Sequence, residues 1–472
     1  MNTKISLLAL LVALPFSTFA KSELTIEQRF EQLEKRLQIA EQRANKAEAE
    51  IAKIKKTPAP ASTHSDDTQQ ASVSKNAIAA APVQHAEPAT KSVSSFLSTG
   101  KDVELKFYGD VEYNMDVASK KGQLTSVRSS SDKNAKPGDR DRWDVNGRIL
   151  LGFDGIQHGK NNHYAGVTVQ PLADMQGRMN LDDAAFFFGR TNDWSFKVGR
   201  YEAYDMFPLN QDTFVEYSGN TANDLYGDGY GYIYMMKEGR GRTNNGGSFL
   251  LSKNIDNWYF ELNNLVEDGS SLFIDSQYHG YDLKNKKNVI YMRPVVAYRE
   301  GPWSVAAAVE KNVINNAYGY YQNDKFVDQS KRTGYGLTGS WNTLKNDPLN
   351  GAQINLNTAY LDAPAEKDFS AGINGLWKRF ELGYIYAHNN IKSYNAPEAL
   401  QCGDVDGSCL VASPGNYSIH TLHASYQFPN VLDMPNFNIY LGAYASYIDT
   451  NALHNGENKD RYGSRLRFKY FF

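Results

Sequence analysis

From residue 103 to residue 472 the chain repeats one pattern, an alternation of apolar and polar residues with a period of two. In 105–116, LKFYGDVEYNMD, one face carries Leu105, Phe107, Val111, Tyr113 and Met115. The other carries Lys106, Tyr108, Asp110, Glu112, Asn114 and Asp116. In 143–154, WDVNGRILLGFD, Trp143, Val145, Ile149, Leu151 and Phe153 oppose Asp144, Asn146, Arg148, Leu150 and Asp154. The alternation returns in 380–386, in 437–447 and in the closing RLRFKYFF, where Leu466, Phe468, Tyr470 and Phe472 oppose Arg465, Arg467 and Lys469. A period of two is the signature of a strand with two chemically different faces. Turn signals such as NDPLNG, LDAPAEKD, EGPW and FPNVLDMPN separate the segments. Roughly 16–18 strand-like segments fit into this stretch.

So many strands must manage their edges. A soluble sandwich would bury the apolar faces and wet the charged ones. Here aromatics stand near both ends of the apolar faces, as Trp143 and Phe153 do, or Phe437 and Tyr447. Two aromatic girdles flanking an apolar band suit a barrel in lipid, and 30 Tyr, 23 Phe and 37 Gly suit it too. In lipid, closure is compulsory, because no water can satisfy an open edge. The predicted fold class is therefore an all-β transmembrane β-barrel, antiparallel, over 101–472. A barrel this wide leaves an aqueous channel. Strand parity makes Asp110, Glu112, Asp116, Asp144 and Arg148 candidate pore-lining residues.

The segments before the barrel read differently. Residues 1–20 have a basic Lys4, an apolar run and a small-residue end at Ala20, a cleavable signal peptide. Residues 21–56 carry Ile26, Phe30, Leu33, Leu37, Ala40, Ala44, Ala47, Ile51 and Ile54 in alternating steps of four and three. That seam predicts an α-helical coiled coil in the periplasm. Residues 57–100 are rich in Ala, Ser, Thr, Pro and Gln and read as a flexible linker.

Several functions are excluded. With 50 Lys+Arg against 53 Asp+Glu there is no basic surface for nucleic acid. No Gly-x-Ser-x-Gly, His-Glu-x-x-His or Cys/His cluster occurs, so neither catalysis nor a metal or other cofactor is expected. Cys402 and Cys409 bracket a short polar loop, and in an oxidising compartment they are expected to form a disulfide.

The order of parts, with a barrel opening on ELKFYGDVEYNMD and ending in RFKYFF, resembles the glycoporins, the sugar-specific porins of the outer membrane. The resemblance covers nearly the whole mature chain. It implies a homotrimer and a long loop folded into each pore. An amphipathic last strand ending in Phe472 resembles the signal read by the barrel-assembly machinery. The segment 201–230, which follows WSFKVGR and lacks a period of two, fits such a loop. Its candidate constriction residues are Tyr201, Glu202, Tyr204, Asp205, Phe207, Asp212, Glu216 and Tyr217. Carboxylates bond sugar hydroxyls and aromatic rings stack on sugar C–H faces, so the mixture suits a sugar path. Arg140, Arg142, Arg148 and Arg190 are candidates for a facing basic wall. Arg200 has outward parity and must sit at a rim or a bulge.

The expected partners are sugar solutes, outer-membrane lipid, two further copies of the chain, the assembly machinery, and a periplasmic or cell-wall contact of the coiled coil. Two other readings stay open: a porin for small anions such as dicarboxylates, or a barrel that anchors the coiled coil. Deleting 21–100 separates the last, since a tether loses its function and a pore keeps conducting.

Overall fold

A computed structural model describes residues 95–100, 103–118, 142–175, 177–211, 218–219, 233–236, 246–273, 277–278, 281–392, 415–450 and 460–472. The chain divides into two compact units, 1–75 and 76–472, and every described residue belongs to the second. The predicted signal peptide and coiled coil lie outside the described residues, as do Cys402 and Cys409.

Sixteen strands carry the fold. They are β1 (Val103–Ala118), β2 (Arg142–His158), β3 (His163–Asp174), β4 (Met179–Arg190), β5 (Trp194–Arg200), β6 (Gly247–Ile255), β7 (Trp258–Asp268) and β8 (Asn288–Glu300). Then follow β9 (Trp303–Asn312), β10 (Thr333–Asn342), β11 (Ala352–Ala363), β12 (Glu366–Trp377), β13 (Phe380–Ile391), β14 (Gly415–Phe428), β15 (Phe437–Thr450) and β16 (Asp460–Phe471). Each pairs antiparallel with the next, from β1–β2 to β15–β16. β16 then pairs antiparallel with β1, from Asp110↔Phe471 to Ala118↔Gly463, and closes the sheet. The count is sixteen, at the lower end of the range read from the sequence.

The side chains sort as lipid demands. On the outer face of β1, Phe107, Tyr113 and Met115 are exposed, whereas Asp110, Glu112, Asn114 and Asp116 are buried on the inner face. Trp143, Phe153, Leu337, Leu356, Trp377, Leu422 and Tyr447 continue the exposed apolar band around the barrel. A soluble sandwich would show the reverse. Closed pairing satisfies the strand backbones, and the apolar surface matches a hydrocarbon solvent. Tight turns such as 191–193, 256–257, 301–302 and 378–379 lie at one end, with both chain ends of the barrel. The strand ends of β1–β2, β5–β6, β7–β8, β9–β10 and β13–β14 lie at the other.

One expectation needs correction. Residues 95–100, placed by composition in the linker, form a strand that pairs with β1 from Ser95↔Phe107 to Gly100↔Val103. It uses the stretch of the β1 edge that β16 leaves free below Asp110. The inner face also varies around the barrel. Val295, Ala297, Ala306, Ala308, Ala359 and Leu361 point inward from β8, β9 and β11 and are covered. Leu272, Phe273, Leu283, Tyr318 and Tyr320, from the connections 269–287 and 313–332, pack over this wall together with Tyr204, Met206, Tyr234 and Met236. These connections are held in shape by a three-stranded sheet of Lys284–Asn285, Tyr318–Gln322 and Lys325–Asp328. An apolar core thus fills the lumen beside β8, β9 and β11.

Candidate functional site

β5 is only seven residues long, so the chain leaves the sheet at mid-barrel. Gly199 takes φ +127, a region side-chain-bearing residues rarely adopt, just where the chain departs. Arg200 sits at that point of departure, its Nε donating to the carbonyls of Leu181 (3.0 Å) and Asp182 (2.8 Å).

The chain then crosses the inner wall from β7 to β14. A segment without sheet partners must find other groups for its backbone, and here inward side chains supply them. Tyr201 Oη donates to Asn263 Oδ1 at 2.8 Å. Tyr204 N donates to Glu261 Oε1 at 3.1 Å, and Arg293 Nη2 donates to Tyr204 O at 2.7 Å. Thr338 Oγ1 donates to Met206 O. Asn357 and Asn374 both donate to Pro208 O, at 3.2 and 2.8 Å. Glu381 accepts from Asn210 N (3.1 Å) and Gln211 N (2.6 Å), and Ser425 Oγ donates to Gln211 Oε1 at 2.7 Å. The return limb is tied as well. Tyr234 Oη donates to Glu310 Oε1 at 2.6 Å, Ser370 Oγ donates to Tyr234 O, and Arg293 Nη2 reaches Met236 O at 3.3 Å. Burial first, and then the Glu261 charge, push the Tyr201 hydroxyl well above its ordinary range, so it remains a donor.

Glu381 binds two adjacent backbone N–H groups with one charged group, the strongest kind of acceptor. Glu381→Gln keeps one acceptor and loses the charge. It is expected to cost about 1–2 kcal/mol of barrel stability, read as a lower urea midpoint of the refolded protein. An unchanged midpoint would mean that this end of the segment carries no load.

Across the lumen stands a charged wall made by β16, β1 and β2. Register places Glu112 opposite Lys469, Asn114 opposite Arg467 and Asp116 opposite Arg465. Arg465 binds Asp116 through Nε and Nη2, both at 2.6 Å. Glu112 lies 3.3 Å from Arg467 Nε and 3.7 Å from Lys469 Nζ, and Arg148 Nε is 3.7 Å from Asp110. Asn146 joins Asn114 (3.0 Å) to Asp116 (2.8 Å). Toward β3 the wall turns from charge to a mixed surface. Tyr108 Oη donates to Asp154 Oδ1 at 3.1 Å and accepts from Gln170 Nε2 at 2.8 Å, while Thr168 Oγ1 donates to Asp154 Oδ1 at 2.7 Å.

The predicted residues fall as follows. Asp110, Glu112, Asp116 and Arg148 meet on the charged wall. Asp144 holds the register position opposite Asp116. Tyr201, Tyr204 and Phe207 are buried against the β7–β14 side, whereas Glu202 and Asp205 are half-buried, and Asp205 Oδ1 accepts from Phe207 N at 2.8 Å. Asp212, Glu216, Tyr217 and Arg140 lie outside the described residues. Arg190 is no part of the wall: it ends β4 at a tight turn, 3.6 Å from Asp193. Phe472 closes the seam through reciprocal backbone bonds with Gly109, at 2.9 and 3.1 Å. Sequence reasoning missed Glu261, Arg293, Glu310 and Glu381. Their only signal was a charged residue at inward parity within a strand. Among the described residues no group of His, Cys, Asp and Glu could hold a metal ion.

The pattern of the family described as "Porin-like glycoporin RafY" matches residues 107–472. That of the "Maltoporin periplasmic N-terminal extension" matches residues 25–55. No curated protein matches the chain. Similar solved structures include an anion-selective porin from Comamonas acidovorans, 13% identical, with a TM-score of 0.46 over 79% of this chain and 100% of that one. In-vitro folded OmpT, an outer membrane protein of Vibrio cholerae, is 12% identical, with a TM-score of 0.45 over 80% of this chain and 100% of that one. Its trimer form is 11% identical, with a TM-score of 0.43 over 79% and 100%.

Proposed function

The chain belongs to the porin-like glycoporin family of the outer membrane, and from that premise we propose that it forms a water-filled channel for passive diffusion of neutral sugars. The observation that carries the choice of cargo is the near match of charge on the lumen wall, where five acids face six cations and four of those cations are paired. Asp110, Glu112, Asp116, Asp154 and Asp183 stand among Lys106, Arg148, Lys197, Arg465, Arg467 and Lys469 on β1, β2, β4, β5 and β16. Most of these cations are already engaged by the acids beside them. An anion pore needs a surplus of cations along its path. A balanced wall of fixed donors and acceptors instead exchanges hydrogen bonds with hydroxyl groups.

The solute path runs between this wall and the segment 201–211, which narrows the lumen from the β7–β14 side. Three such channels are proposed per assembly, as the resemblance implies, with residues 21–56 proposed as a coiled coil in the periplasm. Fixed groups on both walls make the path selective by size and by hydrogen bonding rather than by charge.

Reversal potentials in a salt gradient across planar bilayers test the cargo. Weak ion selectivity, with current reduced by added raffinose or maltotriose, is the expected result. Strong anion selectivity with block by succinate alone would replace sugars by dicarboxylates.

A further inference from the structure

The lipid-facing wall of β6–β9 is dished. Pro294 stands in the middle of β8, and the β8–β9 ladder skips it. Met292 pairs with Lys311 and Val295 with Ala308, with no ladder pair for Arg293 or Pro294 between them. Proline has no N–H to give to a neighbouring strand. Around it, the short side chains of Val296, Ala307 and Val309 lie among the longer ones of Leu251, Phe260 and Leu262. Together they line a groove of about 630 Å³. Leu251, Phe260 and Val309 are exposed, so the groove opens on hydrocarbon and not on the lumen.

One end of the groove is marked by cations. Lys311 follows Val309 by two residues, on the same exposed face of β9. The chain entering β8 adds Lys284, Lys286 and Lys287, all exposed. The last two are held by their backbone N–H groups, which donate to Ala317 O at 2.7 and 3.1 Å. Lys284 lies opposite Gly319 in the three-stranded sheet, and Lys325 opens the third strand of that sheet. The acids on the same connections are Asp282, Asp324 and Asp328, and Asp328 already accepts from Asn316 N and Ser330 N. Toward the tight turns, at the groove's other end, Lys253 is taken up by Asp193. The barrel's chain ends lie with those turns, and the pattern matched at 25–55 is that of a periplasmic extension. The end that carries Lys311 and 284–287 therefore faces the cell exterior.

We propose that the β6–β9 face holds one phosphorylated, acylated glycolipid of the outer leaflet, with an acyl chain in the groove and a phosphate on Lys311 and the lysines of 284–287. The parts come in the order that such a lipid presents them. The apolar groove lies within the band, and the cations stand just above it. Ammonium groups make charge-assisted bonds to phosphate oxygens, and lysines gathered at a membrane surface attract anionic headgroups. A phospholipid of the inner leaflet would need its cation at the lower end, where Lys253 is occupied by Asp193. The site lies on the outside of the barrel, so it stands whether the channel passes sugars or anions.

The test uses the full chain refolded in detergent, with bisphosphorylated lipid A as the probe and native mass spectrometry as the readout. One lipid retained per chain is the expected result, with phosphatidylglycerol held at least tenfold more weakly. Changing Lys287→Gln and Lys311→Gln together is expected to weaken lipid A binding about tenfold. Both positions are exposed, so the fold and the channel conductance should match the parent. Ala307→Trp fills the groove from the lipid side and should weaken binding as much, with the lysines intact. Equal retention by the parent and the double lysine variant would overturn the site. Equal retention of phosphatidylglycerol and lipid A would reduce it to ordinary lipid contact and overturn it as well. So would a folded, conducting parent that retains no lipid A.

Discussion

Arg293→Met is expected to widen the pore and to weaken the barrel. Arg293 is 1% exposed and serves three groups at once. It donates to Tyr204 O on the outgoing limb and to Met236 O on the returning limb, and it stands 3.7 Å from Glu261. Glu261 in turn accepts from Tyr204 N and from Tyr259 Oη. One guanidinium therefore clamps both limbs of the inward segment to β8. Methionine fills similar volume but offers no donor. It leaves two buried carbonyls with one partner fewer and removes the cation 3.7 Å from Glu261. Breaking one side of a buried pair costs about 3–5 kcal/mol. The freed limbs should sample the lumen, so the single-channel conductance is expected to rise by half or more, with a noisier open state. Adding Glu261→Gln removes the stranded charge. The double variant should recover most of the stability but not the parental conductance. That split distinguishes a clamp from a residue that matters only for stability. Parental conductance in both variants would show that the segment is held elsewhere.

The second large effect is expected at the seam. The Arg465–Asp116 contact joins positions 349 residues apart and is bidentate, at 2.6 Å for each bond. Asp116 has a fully buried side chain and Arg465 is 14% exposed there. Closing a loop of this length costs entropy that grows only slowly with length, so a few strong contacts suffice to hold it. Asp116→Ala strands a buried guanidinium and is expected to lose about 3 kcal/mol in urea unfolding. Arg465→Ala should cost about as much by the same argument. The double variant should cost little more than either single one, because the two groups act on one another. Strict additivity of the two losses would show that the residues stabilise the barrel independently. Arg467 and Lys469, two and four residues further along, share Glu112, so the seam should tighten rather than open at that end.

Much of this architecture was legible from alternation. Strand parity in 105–116 and 143–154 placed Asp110, Glu112, Asp116 and Arg148 on one face, and parity in RLRFKYFF placed Arg465, Arg467 and Lys469 on the other side of the same seam. A strand exposed to lipid outside and to polar groups inside keeps its period of two, which is why these stretches could be read. The signal failed where both faces became apolar. Val295 to Ala297 and Ala306 to Ala308 look like short continuous apolar runs, because loop residues cover their inner face. The anchors of the inward segment failed for a different reason. Glu381 meets Asn210 across 171 positions and Arg293 meets Tyr204 across 89, distances over which local pattern carries no information. The strand at 95–100 was hidden by composition. Its Ser and Gly content reads as linker, and only the free stretch of the β1 edge explains why it pairs.

The central claim is that neutral sugars pass between the charged wall and the clamped segment. The most direct measurement is the swelling rate of liposomes carrying the refolded protein, with neutral sugars of increasing size and with charged solutes of matched size. The account predicts fast entry of mono- to trisaccharides, slower entry as size increases, and no advantage for anions. Exclusion of all sugars alongside ready passage of small dicarboxylates would contradict it.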